Sequence, residues 1–444
     1  MDHFDLTKGK IVNKLFLVAL PVMGTSMIQM AYNLTDMVWL GHLGSAAVAA
    51  SGTAGMYNWL AQSLMLFCKT GAEIGISQNF GRNERDKAYA IASMALLFSV
   101  VFALFITALY IIFARPLIAF FQIQDPLVVE NAIDYLIIIS LGIIFQFLII
   151  TITGMFNGSG NSKTPFFFGM SGLILNMVLD PILIYVFDFG VIGAAYATLF
   201  SQFIVCIGLI IYLKFFKGNL HDFHLKLVWK KAYLKLLFHW GIPIALESGF
   251  FTIISMILAR YVSYYGSTAI AVQKIGSQIE SISWMVAQGF GAAMSAFIGQ
   301  NYGAHAFDRI KIGYHKGILI MFIWGLFTSF GLFLFSNSIF HLFMTESDAI
   351  LQGANYLVIL SYSQLFMCLE LTAAGAFRGM GKTVLPSAVS IGLNLLRIPL
   401  ALLFSQTYFM GINGIWWALT VTSILKGIIT PLSYQFVLKK SVPK

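Results

Sequence analysis

The chain has 444 residues, of which 59% are hydrophobic and only 10% are Asp, Glu, Lys or Arg, against roughly 25% charged residues in an ordinary soluble domain. So few charges cannot cover a water-soluble body of this size. The net charge of +9 lies in short clusters between apolar runs, so it forms no nucleic-acid-binding patch and points to an integral membrane protein.

A bilayer-spanning helix needs about 20 mostly apolar residues. Twelve stretches meet this length: 15–39, 52–79, 89–113, 130–154, 165–187, 191–213, 243–265, 269–298, 317–340, 352–376, 384–404 and 413–436. The first follows Lys8, Lys10 and Lys14 and is too long for the apolar core of a cleavable signal, so it reads as a membrane helix. A charge near the bilayer centre costs about 2.5–3.5 kcal/mol. Among the acids within spans, Asp36, Glu73, Asp180, Glu247, Glu280 and Glu370 therefore each need a reason.

In the first span Gln29, Tyr32 or Asn33, and Asp36 recur at helical spacing and share one face. Asp36 either binds a cation or proton there or caps the outer end of the helix. In the second span Lys69 and Glu73 are four residues apart and can neutralise each other; otherwise Glu73 faces a cleft. The fourth span ends in Gly154–Gly160, where glycine lets the chain turn before Pro165 starts the next helix. The fifth carries Asn176 one turn before Asp180, with Pro181 directly after. That proline frees a backbone carbonyl near Asn176 or Met177. Two carboxylates drawn together in a low-dielectric site cannot both ionise cheaply, so an Asp36–Asp180 pair would take up a proton, and Asn and Thr oxygens beside it would suit Na⁺.

Residues 214–242 form the longest hydrophilic stretch. It is basic, contains Trp229 and Trp240, and reads either as an amphipathic helix on the inner leaflet or as a plain connector. Beyond it, Glu247 lies one turn after Pro243 in the seventh span. Glu280 lies in the eighth, off the face of Lys274, and Glu370 in the tenth, where it faces a cavity or pairs with Arg397. With Glu73, these three are candidates to line a substrate cleft. Cys68, Cys206 and Cys368 all fall in apolar segments and offer neither a disulfide framework nor metal spacing. No P-loop is present, and no histidine lies in a metal or nucleophile motif, so the chain reads as neither ATP-driven nor an enzyme.

Lys and Arg placement sets orientation, because cytoplasmic loops carry the excess. With both termini inside, 21 of the 27 fall on the inner side and only Arg115 on the outer; Lys69, Arg260, Lys274, Arg397 and Lys426 lie within spans. A shift of 222 residues pairs Pro21 with Pro243, Gly44 with Gly266 and Gln78-Asn79 with Gln300-Asn301. A shift of 221 pairs Gly154, Gly158 and Gly160 with Gly375, Gly379 and Gly381, and Gly190 with Gly411. Each half thus has six spans, and an even number makes the repeat parallel. The expected fold is an all-α integral membrane protein, with twelve transmembrane helices in two parallel pseudo-symmetric six-helix bundles. Residues 1–213 and 243–444 form the lobes and 214–242 a cytoplasmic linker. The acids do not repeat: Asp36 matches Leu258, Glu247 matches Thr25, Glu280 matches Asn58 and Glu370 matches Ile149.

Twelve spans, parallel halves, Gly-Gln-Asn-Tyr-Gly-Ala at 299–304 echoed at 77–81, Asn33-Leu-Thr-Asp36 after Pro21, and Asn176-Met-Val-Leu-Asp180-Pro181 resemble the multidrug and toxic compound extrusion (MATE) family, closest to its prokaryotic DinF-like branch. The resemblance covers the whole chain. It implies a cation site for H⁺ or Na⁺ in the first half, made by Asp36, Asn176, Asp180 and Thr198 with Tyr32 and Asn157 near it, and a bend at Pro21 as the site loads. NorM-like members carry a seventh-span glutamate two turns after the proline; here that position is Phe251. The implied function is a cation-coupled antiporter in the cell membrane, without cofactor, exporting small cationic or amphiphilic compounds as a monomer. A flippase of lipids or lipid-linked precursors is the alternative, and would require a basic cleft.

Overall fold

The computed structural model describes residues 4–121, 123, 125–215, 220, 223–225, 230–344, 346–406 and 410–441. The described residues form twelve long helices and one short one, with no strand. In order they are α1 (Ile11–Leu43), α2 (Ser45–Gly81), α3 (Arg85–Ile112), the short α4 (Ala114–Ala119), α5 (Pro126–Gly158), α6 (Lys163–Pro181), α7 (Gly190–Phe215), α8 (Lys231–Ser263), α9 (Ser267–Gly303), α10 (Phe307–His341), α11 (Ser347–Gly379), α12 (Val384–Phe404) and α13 (Ile412–Ser441). Eleven of the twelve long helices are apolar enough to cross a membrane. The exception is α2, whose residues 70–79 are all buried inside the protein. It carries Lys69, Glu73, Gln78 and Asn79 among small residues, because it faces other helices rather than lipid.

The repeat is visible in the backbone. Left-handed residues recur in pairs at the repeat shifts: Gly44 and Gly266, Asn83 and His305, Gly160 and Gly381, Gly190 and Gly411. Only Gly160 and Gly381 of the two glycine runs serve as turns. Gly154 and Gly158 instead lie within α5 at its crossing with α2. A Cβ on Gly154 would stand 2.6 Å from the Lys69 carbonyl, and one on Gly158 would meet that of Glu73. In the second half Gly375 meets the Gly291 carbonyl, and a Cβ on Gly379 would stand 2.6 Å from the Ser295 carbonyl. Small residues let two helix backbones touch where no hydrophobic force operates between them. Lys69 and Glu73 therefore occupy the positions of Gly291 and Ser295 on a shared scaffold.

The chain divides into two compact units, one built on Gly24–Ala245 and the other on Leu6–Met23 with Leu246–Lys444. The divisions fall inside α1 and α8, just after Pro21 and Pro243, rather than in the connector. The reason lies in the packing. Leu237 and Trp240, at the start of α8, are buried in the core of the first unit, and Gly241 fits against Phe67. Leu15, Val18 and Ala19, at the start of α1, are buried in the core of the second. The amphipathic segment expected in the connector is thus the opening of α8, continuous with the seventh span. Residues 216–219, 221–222 and 226–229, with Trp229, lie outside the described residues.

The residues before α1 are fastened to the second unit. Leu6 is fully buried. Its N–H donates to Gln300 Oε1 at 2.9 Å, and its carbonyl accepts from Asn301 Nδ2 at 3.2 Å and Arg309 Nη2 at 3.2 Å. Arg309 also donates to the Lys8 carbonyl. The repeated Gln-Asn motif is, in this half, a clamp on the segment before α1. All three cysteines are free and buried.

Candidate cation site

Asp36 lies two turns before the end of α1 at Leu43, so it is no helix cap. It comes within electrostatic reach of Asp180, which is fully buried. Asp180 sits at the end of α6, where Pro181 cannot donate a backbone hydrogen bond. The helix responds by widening into a π turn over Ile182–Val186, a distortion frequent at functional sites. Gly193 on α7 gives the widened turn room, since a Cβ there would stand 2.7 Å from the Leu183 carbonyl.

Around the two acids the polar groups are oxygen-rich and under-used. Asn176 Nδ2 donates to Asp180 Oδ1 at 3.2 Å, turning its own carbonyl away. Tyr32 Oη, Asp36 Oδ1, Asn176 Oδ1, Asp180 Oδ2, Thr198 Oγ1 and Ser201 Oγ are all buried without a hydrogen-bond partner. Tyr32 faces Thr198 and both acids. Buried polar atoms are nearly always paired, so such a concentration of orphan oxygens marks a place built for something else. Proton or Na⁺ fits this donor set: two carboxylates with neutral amide and hydroxyl oxygens are hard ligands, without thiol or imidazole.

Asn157 is buried with its Oδ1 unpaired, but shares no bond or charge contact with Asp36 or Asp180 among the described residues. Tyr135, on α5, faces both acids. Nothing in the sequence distinguishes it among 18 tyrosines. Gln29 and Asn33 bond each other loosely, at 3.4 Å.

A cavity of about 240 Å³ opens in the same unit, with Gln29, Tyr32, Lys69, Thr153, Ser201 and Gln202 in its wall. Tyr32 thus lines the cavity while belonging to the oxygen cluster, and Ser201 lies one turn after Thr198 on α7. Lys69 reaches this cavity, whereas Glu73 is buried at the α2–α5 crossing.

The other three candidate acids lie in the second unit. Glu247 Oε2 accepts from Ser387 Oγ at 2.7 Å. Glu280 Oε1 accepts from Gln364 Nε2 at 3.2 Å. Glu370 pairs with Lys426, N···O 3.3 Å, rather than directly with Arg397. The guanidinium lies 6.0 Å from the ring centre of Phe251, the residue standing where a NorM-like glutamate was expected.

The MatE family model matches residues 21–182 and 243–403, one match in each half. The chain belongs to the MatE family. Among its relatives, the probable multidrug resistance protein YoeA of Bacillus subtilis is 27% identical over 98% of this chain and 96% of its own. The probable multidrug resistance protein NorM of Thermotoga maritima is 26% identical over 96% and 92% respectively. A solved outward-facing multidrug resistance MATE family transporter of the MOP superfamily superposes with a TM-score of 0.92, covering all of this chain and 99% of that one at 22% identity. This MatE chain is therefore a multi-pass membrane transporter rather than an enzyme, and the two-bundle MATE fold is its fold.

Proposed function

We propose that this chain is a secondary antiporter that exports small organic compounds, cationic or amphiphilic, in exchange for H⁺ or Na⁺ bound between Asp36 and Asp180. The observation that carries this reading is the acid pair ringed by orphan oxygens and joined, through Tyr32, to a cavity able to hold part of a small organic molecule. An ion entering from outside satisfies the oxygens, and in doing so alters the wall that Tyr32 shares with the cavity. Substrate and coupling ion then compete through one side chain, which is what exchange requires. Inward movement of each unit charge supplies about 2.3 kcal/mol per 100 mV. With both termini in the cytoplasm and alternating access between the lobes, such a cycle drives export.

The flippase alternative calls for a basic cleft. Lys69 alone brings a positive charge to the cavity wall, and two carboxylates stand beside it, so the antiporter is favoured. The test is transport of a fluorescent organic cation by reconstituted protein under an imposed Na⁺ or proton gradient. Asp36→Asn and Asp180→Asn should each abolish gradient-driven transport. Full-rate export by either variant sinks the site assignment, and the gradient that drives the wild type names the ion.

A further inference from the structure

In the second unit five helices each bring one charged side chain to a common cluster: Glu247 (α8), Glu280 (α9), Glu370 (α11), Arg397 (α12) and Lys426 (α13), the first two half-buried and the other three buried. Lys426 is the hub. Its ammonium pairs with Glu370, and both side chains are less than a tenth exposed. It also lies within electrostatic reach of Glu247 and Glu280. Arg397 is held by neutral groups, its Nε donating to Thr422 Oγ1 at 2.9 Å and its Nη2 to Ser423 Oγ at 3.1 Å. Its charge still acts on Glu280 and Glu370. Gln364 is fully buried; one end of its amide binds Glu280, and its Oε1 has no partner.

The repeat shows what has replaced what. At a shift of 221, Arg397 stands at the position of Asn176, Ala401 at Asp180 and Thr422 at Ser201; at a shift of 222, Leu258 stands at Asp36. Where the first unit has two acids and vacant oxygens, the second has an aliphatic residue, an alanine and a guanidinium held by that very threonine. Its carboxylates come from other positions, and Lys426 fills the place of Val205. A buried carboxylate needs a positive partner. That partner is either an ion that comes and goes or a side chain that stays.

We propose that Lys426 is a tethered counter-cation, taking in the second unit the position of an exchangeable monovalent ion, so that ion exchange is confined to Asp36 and Asp180. This rests on the reading of those two acids given above. Three carboxylates share the cluster with two fixed cations. Removing Lys426 leaves Glu370 and Glu247 without their nearest positive charge. A small monovalent cation then has two carboxylates to bind.

The test measures thermal unfolding of purified protein in an Asp36→Asn background, which silences the first unit's acid pair, in choline buffer and after replacing choline by Na⁺ or methylammonium. The parent should unfold at the same temperature in all three. Lys426→Met should unfold earlier in choline and recover on addition of either small cation. Lys426→Met with Glu370→Gln should lie close to the parent and lose the response. If Lys426→Met unfolds like the parent and ignores the cations, or if the double variant responds as strongly as the single one, the proposal is overturned. Should Lys426→Met not accumulate, accumulation of the double variant supports the charge role, and failure of both makes Lys426 a packing residue and overturns it. No arm measures transport. A wrong assignment of Asp36 would show instead as full export by Asp36→Asn, leaving the comparison at Lys426 readable.

Discussion

Asp36 and Asp180 reach each other from different environments. Asp180 is fixed by Asn176 at the edge of a π turn, while Asp36 rides on a helix whose stripe of polar residues was readable from spacing alone. Asn176 and Asp180 were equally legible, being polar, one turn apart and followed by proline. Tyr135 was not, because nothing local separates a tyrosine that faces an acid from one that faces another helix. The partner of Glu370 was also beyond reach: both Arg397 and Lys426 were visible as membrane charges, but only the helix packing chooses between them. On the proposed mechanism Thr198 donates a neutral oxygen to the ion. Thr198→Val keeps its shape and removes that oxygen, a charge-assisted contact worth about 1.5–3 kcal/mol. Half-saturation for the driving ion should rise by about tenfold or more while the protein remains folded, as a titration of transport rate against ion concentration would reveal. An unchanged half-saturation removes Thr198 from the site.

The helices have two kinds of special position, and the sequence separated them poorly. The glycine runs looked like turns, since glycine and a following proline are turn signals. Two of the three repeated glycines in each run are instead helix-crossing residues, a role that depends on what the facing helix presents. Gly158→Val should overpack the α2–α5 crossing and cost about 1–3 kcal/mol, read as a lower unfolding midpoint in detergent. Gly44→Ala is strained for a different reason, its left-handed backbone, with open space around it. Pro181 acts on geometry more than on stability. Pro181→Ala restores an N–H that can close the bond toward Met177 and draw the π turn back into α-helix. The expected result is slower gradient-driven export at an unfolding midpoint equal to or above that of the wild type. A variant that transports normally would show that the widened turn is not needed at Asp180.

At the scale of the whole molecule, twelve spans and a parallel duplication were legible because hydropathy and repeat spacing are averaged over hundreds of residues. The division into units was not. The hydrophilic connector seemed the natural boundary, yet the start of α1 is buried with the second half and the start of α8 with the first. Hydropathy tells that Leu15 and Leu237 are buried, not in whose core. Leu6→Ala empties a fully buried position in the second unit and should cost about 2–5 kcal/mol, measured as lost thermal stability.

The clamp on Leu6 also has a consequence in time. Its partner Gln300 lies 294 residues further along, so the Leu6 segment, once synthesised, cannot be seated until α9 and α10 exist. At roughly 5–20 residues per second that is a wait of about 15–60 s. A cysteine placed at Leu6 should react with a water-soluble thiol reagent in stalled nascent chains that stop before Arg309. It should become shielded once the chain is long enough to include α10, which makes a segment synthesised before α1 among the last to find its place.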